Sequence, residues 1–222
     1  MAQVAITRFL PEIAALVREC PTSVLISAYA SAAREFCNRT RWLRLTITGV
    51  TVADTAQYTL GDDTHHEICG IRGMSVRSSA SADWDPLTEQ AGTYFDPNLD
   101  ADVPELYQYL PHGKFKLSPT PLAAYDLLIT AVLQPKKGVV SIDDSLLVDW
   151  DEALRHGALY RLFRITEQPW TNMVESNLQR ELFEIEVNKA KSAVAAGYNA
   201  GAATTNRPGR PNAMPRSRVL PI

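Results

Sequence analysis

The chain has 222 residues, 45% hydrophobic and 21% charged, a balance that suits a soluble globular protein of one large or two small domains with a substantial core. No run of about 18 apolar residues occurs and no signal-type cleavage site follows an apolar stretch near the start, so neither a membrane span nor signal-directed secretion is expected. The net charge of −3 is uneven: residues 201–222 carry Arg207, Arg210, Arg216 and Arg218 and no acid, leaving 18 basic against 25 acidic residues, a net of −7, for the remainder. An acidic body disfavours nonspecific nucleic-acid binding as the main task, and the basic tail is a candidate contact arm.

In chain order, Phe9, Leu10, Ile13, Leu16 and Val17 predict a short amphipathic helix that tolerates Pro11 near its start. After Pro21 a longer helix is patterned by Val24, Leu25, Ala28, Tyr29, Ala32, Phe36 and Cys37, and ends between Asn38 and Trp42. The apolar period then changes from 3.6 toward 2. Leu43, Leu45 and Ile47 alternate with Arg44, Thr46 and Thr48, and Tyr125, Leu127, Ile129, Ala131 and Leu133 form a second alternation before Pro135. Shorter strands are expected at 57–60, 68–76, 86–88, 106–110 and 115–117, with Pro111-His112-Gly113 as a hairpin turn joining the last two. Loop chemistry marks 78–82 and 92–104.

Residues 143–197 carry two long helical patterns broken at Gln168-Pro169-Trp170, which makes them an antiparallel helical hairpin. On the first helix Leu147, Trp150, Leu154, Ala158, Leu162 and Ile165 form the apolar stripe, with Arg155, Arg161 and Arg164 largely outside it. On the second the stripe is Val174, Leu178, Leu182 and Ile185, continued by Val187, Ala190 and Val194, with Glu181, Glu184, Glu186, Lys189 and Lys191 opposite. Asp143, Asp144 and Ser145 can cap the first helix, Asn172 the second, and Gly197 is a left-handed stop. Gly157 beside Ala153 and Ala158 points to close backbone approach by a neighbouring helix. The stretch 201–222, with Pro208, Pro211, Pro215 and Pro221, is expected to be extended, and ends on the apolar Val219, Leu220 and Ile222.

Candidate chemistry is sparse. Adjacent His65 and His66 cannot share a metal face as an H-E-x-x-H pair does. Asp96, Asn98, Asp100 and Asp102 alternate like a calcium loop, but Ala101 and Tyr107 stand where glycine and glutamate are needed. Glu12, Glu19 and Glu35, like Glu181, Glu184 and Glu186, read as solvated helix faces. Cys20, Cys37 and Cys69 lack a C-x-x-C pattern, which predicts reduced, mostly buried thiols in a cytoplasmic setting. No phosphate-cradling or nucleophile-elbow motif occurs. Trp42, Trp84, Trp150 and Trp170 are expected in or at the rim of the core. Only Trp42, between Arg41 and Arg44, has the basic neighbours that base stacking would need, and the same cluster suits a subunit contact.

The expected fold is therefore α+β: an antiparallel helical bundle from residues 1–42 and 136–200, an inserted small antiparallel β-sheet or sandwich at 43–135, and an extended tail at 201–222. Three pieces give this order a closer resemblance: Cys20-Pro21 leading to Ala32-Ala33-Arg34-Glu35-Phe36-Cys37 and Trp42; Leu117-Ser118-Pro119-Thr120-Pro121 before the strand ending Leu133-Gln134-Pro135; and Asp151-Glu152-Ala153-Leu154 through Gly157-Ala158-Leu159 to Pro169-Trp170. Together the pieces resemble the head-to-tail connector (adaptor) proteins of tailed bacteriophages, in particular the tubular tail adaptors of short-tailed phages.

That resemblance implies a non-enzymatic virion protein with no cofactor or metal, assembled in the host cytoplasm. It implies a ring of about twelve copies beneath the portal protein, with genomic DNA passing through without specific binding and a nozzle or tail tube on the distal side. The tail would dock on the portal through Arg207, Arg210, Met214, Arg216, Arg218, Val219, Leu220 and Ile222. Arg155, Arg161, Arg164, Glu181, Glu184 and Glu186 would meet neighbouring copies. Two other functions are kept open at the level of sequence: a phage-encoded cell-wall hydrolase, and a nucleic-acid-binding module that uses the arginine tail.

Overall fold

The structure is a computed structural model that describes residues 2–61, 63–90 and 100–197. The chain opens on a three-residue strand, β1 (Gln3–Ala5), and one 3-10 turn (Ile6–Arg8), followed by α1 (Leu10–Leu16) and α2 (Thr22–Thr40). Pro11 lies in the first turn of α1, where its missing N–H has no helical partner to lose. The apolar positions of α2 recur at helical spacing and bury Leu25, Ala28, Tyr29, Ala32, Phe36 and Cys37 as expected. Arg41 ends α2 in the left-handed region, at φ 55°.

Seven strands follow: β2 (Arg44–Val50), β3 (Gln57–Thr59), β4 (His66–Arg77), β5 (Asp85–Glu89), β6 (Leu106–Leu110), β7 (Lys114–Ser118) and β8 (Asp126–Pro135). They join in one sheet of order β2-β8-β4-β5-β6-β7-β3 rather than in two packed sheets. All pairings are antiparallel except β5–β6, which is parallel and so departs from the expected antiparallel sheet. In the β6–β7 hairpin Leu110 faces Lys114 across Pro111-His112-Gly113, and His112 and Gly113 have φ of 62° and 69°. A Cβ on Gly113 would come within 3.1 Å of the Leu60 carbonyl oxygen, so glycine meets both the backbone and the space requirement there.

β8 is the link between two apolar cores. Its Leu127 and Ile129, with Tyr125 just before it, pack with Ile71, Met74, Tyr107, Phe115 and Leu117, whereas Ala131 and Leu133 join the helix-side core. The expected alternation on β8 is present, but from Ala131 to Pro135 every residue is buried, because here the strand lies between β2, β4 and α2. The matching expectation for β2 needs correction. Leu43 is buried and Ile47 half-buried, but Leu45 is 40% exposed. β2 is an edge strand with a partner on one side only, so its apolar side chains are covered less completely than those of β8.

A further strand, β9 (Ser141–Asp143), pairs antiparallel with β1 and leads directly into α3 (Asp144–Phe163), which is followed by α4 (Met173–Ala195). β1 and β9 escape sequence reading because three residues show no period. The caps do not: Asp143 accepts from the Ser145 backbone N–H at 3.0 Å, Asn172 from that of Glu175 at 3.1 Å, and Gly197 has φ 73°.

α3 packs on both α2 and α4. It buries Leu147, Leu154, Ala158 and Leu162 as the stripe predicts, bends at the non-helical Trp150, and stops before Ile165. Gly157 is the point of closest approach. A Cβ there would lie 2.9 Å from both the Ala32 Cβ of α2 and a ring carbon of Phe183 on α4, so the glycine lets three helices meet. Phe183 fits over this gap and fixes the rotation of α4.

The first half of the seam expected on α4 is therefore wrong. Val174, Leu178 and Ile185 are 82%, 48% and 50% exposed, and Leu182 is half-buried. The inward face consists of Ser176, Gln179, Phe183, Val187, Ala190 and Val194. Its two polar members are satisfied: Ser176 Oγ donates to the Tyr160 carbonyl at 2.8 Å, and the Gln179 side chain bonds His156 at 2.5 Å and Glu175 at 2.7 Å. Burying them costs little once they are hydrogen-bonded, so the largest ring, Phe183, decides the orientation.

Candidate functional site

Several of the polar groups that sequence patterning places on helix surfaces tie elements together. Glu35 on α2 accepts from Arg39 at 3.0 Å, from Tyr160 at 3.1 Å and from Arg161. Arg39 also reaches across to Glu184 on α4 at 2.7 Å, so one ion-pair lattice joins α2, α3 and α4. The hydrogen bonds from Arg39, with the attraction of its charge, keep the Glu184 carboxyl below the ordinary glutamate range despite some desolvation. A second lattice ties α2 to the sheet: Arg34 donates to Glu67 and to the Pro135 carbonyl at 3.2 Å, and Glu67 also accepts from Gln134. Burial pushes the Glu67 carboxyl up, but the bonds from Gln134 and Arg34 outweigh it and leave the group lower than usual. On the other side of α2, Tyr29 donates to Asp151 of α3 at 2.7 Å.

Glu35 is thus a buttress rather than the solvated face that its spacing suggested. The one signal in the sequence was the four-residue step from Glu35 to Arg39. Its long-range partners Arg161 and Glu184 have no local signature.

The six residues expected to meet neighbouring copies are placed as follows. Arg161 is engaged with Glu35 and lies over the Tyr160 ring, and Glu184 is engaged with Arg39. Arg155 lies 3.4 Å from Glu12 and 3.6 Å from Glu152, and Glu186 bonds Lys189 at 2.5 Å. Arg164 and Glu181 are exposed. The eight tail residues Arg207, Arg210, Met214, Arg216, Arg218, Val219, Leu220 and Ile222 lie outside the described residues, as do Asp96 and Asn98 of the acidic loop.

Histidines and cysteines take structural places. His66 is buried, with Nδ1 2.9 Å from Asp63 Oδ2, while His65 turns toward Ser141 at 3.4 Å. Asp63 is pushed up by desolvation, but bonds from the His66 side chain and the His66 and His65 backbone bring its carboxyl down to about 2. Cys37 is buried and Cys20 and Cys69 are half-buried, all as free thiols. Among the described residues no group of three or more His, Cys, Asp or Glu side chains could hold a metal ion. No described helix is long and apolar enough to cross a membrane.

A cleft of about 950 Å³ opens beside the bend of α3 and is lined by Trp42, Arg44, Asp143, Val148 and Trp150. Trp42 meets Trp150 edge-on at 5.1 Å between ring centroids, which places both at the rim of the helix-side core. Two smaller grooves of about 380 Å³ flank the outer side of α2.

Helices cross-linked by ion pairs pack beside a curled, mostly antiparallel sheet, which makes the fold mixed α+β. The chain belongs to the SU10 adaptor protein family, whose sequence model matches residues 3–212. It is accordingly a phage structural adaptor, a virion component of tail assembly. No curated protein matches the chain.

Proposed function

We propose that this adaptor works as a ring beneath the portal protein, similar to the tubular tail adaptors of short-tailed phages, linking capsid to tail and letting DNA pass. The observation that carries the reading is the family match across residues 3–212, which takes in the scaffold and the first part of the arginine-bearing segment, with Arg207 and Arg210. In this reading residues 1–42 and 136–200 form the ring-building scaffold, and 43–135 faces a distal tail component, a nozzle or tail tube. The segment 201–222 docks on the portal.

Two physical arguments support the assignment. The body outside 201–222 carries a net charge of −7, which suits a channel wall past which DNA slides without being gripped. The arm has four arginines and an apolar end at Val219, Leu220 and Ile222, so a partner can satisfy it with carboxylates and an apolar groove. Mass measurement of the purified protein with and without its portal tests the proposal. The expected result is a monomer alone that becomes a multiple of about twelve on the portal. Unchanged portal attachment after deletion of residues 201–222 would overturn the docking role of the arm.

A further inference from the structure

α4 carries two apolar stripes, and the fold uses one of them. Phe183, Val187, Ala190 and Val194 face the core, while Val174, Leu178 and Ile185 project from the opposite side of the helix, 82%, 48% and 50% exposed. Steps of four and seven residues align the three along one side, so they form a ridge rather than scattered surface positions. Glu181 stands on the same side, exposed, between Leu178 and Ile185.

A surface that complements this ridge lies on α2. Ser23, Ser27 and Ser31 recur at four-residue steps on its outer side, and their short side chains leave a groove on each flank. One groove has Val24 and Ala28 along α2 and Ile165 at its end. The other has Ile26 and Ala30 on α2, faced by Val140, which is 63% exposed, with Lys136 and Lys137 at its rim. Short residues at four-residue spacing let a second helix approach closely, since the distance between packed helices is set by the side chains at the contact. The charges match as well: the ridge brings Glu181, and the groove offers the exposed Lys137, beside Lys136, whose ammonium donates to the Asp63 carbonyl at 2.5 Å.

We infer that the Val174–Leu178–Ile185 ridge of one copy seats in the α2 grooves of the next copy. Ridge and groove are different surfaces, so the contact is head-to-tail, and repetition closes a ring when the rotation per copy divides the circle. The inference rests on the ring reading above and names the surfaces that would build that ring.

The test uses the full chain carrying Leu178→Cys and Ser27→Cys in a Cys20→Ser background, assembled on the portal and then oxidised. The expected result is a covalent ladder that extends beyond dimers, with none from either variant that carries only one of the two introduced cysteines beside the native Cys37 and Cys69. Val174→Glu should abolish the ring mass while leaving the unfolding midpoint unchanged. A complex of full ring mass that gives no ladder, or a Val174→Glu variant that still forms the ring, overturns this interface and leaves the ring reading standing. A parent protein that attaches to the portal without ring mass overturns the ring reading itself.

Discussion

The two faces of α4 both carry apolar residues but lie in different environments. One face is held by Phe183 over Gly157, and the other leaves Val174, Leu178 and Ile185 in solvent. The difference teaches that an apolar stripe fixes a helix's rotation only through the neighbour that receives it. Gly157 provides space for one large ring, Phe183 takes it, and the stripe of Val174, Leu178 and Ile185 is turned outward.

The comparison is broken most severely by Phe183→Ala, which empties the contact between α3 and α4 and should cost about 3–5 kcal/mol. Val174→Ser, on the other face, should stay within about 0.5 kcal/mol. Denaturant unfolding of the two variants reads both effects, and equal losses would mean that α4 is rotated from the position described. Gly157→Ala is the intermediate case. Alanine improves helix propensity by about 1 kcal/mol, but its methyl group would press on Ala32 and Phe183, and overpacking costs about 1–3 kcal/mol. The expected outcome is a modest net loss of stability; a gain would show that the three helices can separate.

The smallest effect concerns the flank of α4. Because Arg39 lowers the folded-state pKa of Glu184, the contribution of this pair is present above the ordinary glutamate pKa of about 4.3 and is lost as pH falls through the lower folded value. Glu184→Gln should therefore flatten the acid side of the stability profile slightly, since the carboxylate is 44% exposed and partly screened. An unchanged slope between about pH 5 and 3 would remove this bridge from the account.

What the sequence determined by itself was local or periodic. Asp143 and Asn172 cap the helices they precede, and Pro111-His112-Gly113 turns the hairpin. Gly157 marks a close approach, and the buried Leu127 and Ile129 alternate with less buried neighbours along a strand. Each is legible because its cause lies within a few residues of backbone geometry or in a repeat of 2 or 3.6. The tertiary structure alone decided which of α4's two stripes is buried, that Glu35 joins Arg161 and Tyr160, and that β5 and β6 run parallel. It also decided that the three-residue strands β1 and β9 pair across the start of α3. These depend on groups brought together from distant parts of the chain, where the winning arrangement is set by which side chain fits which space and which charge finds a partner, and no single segment carries that information.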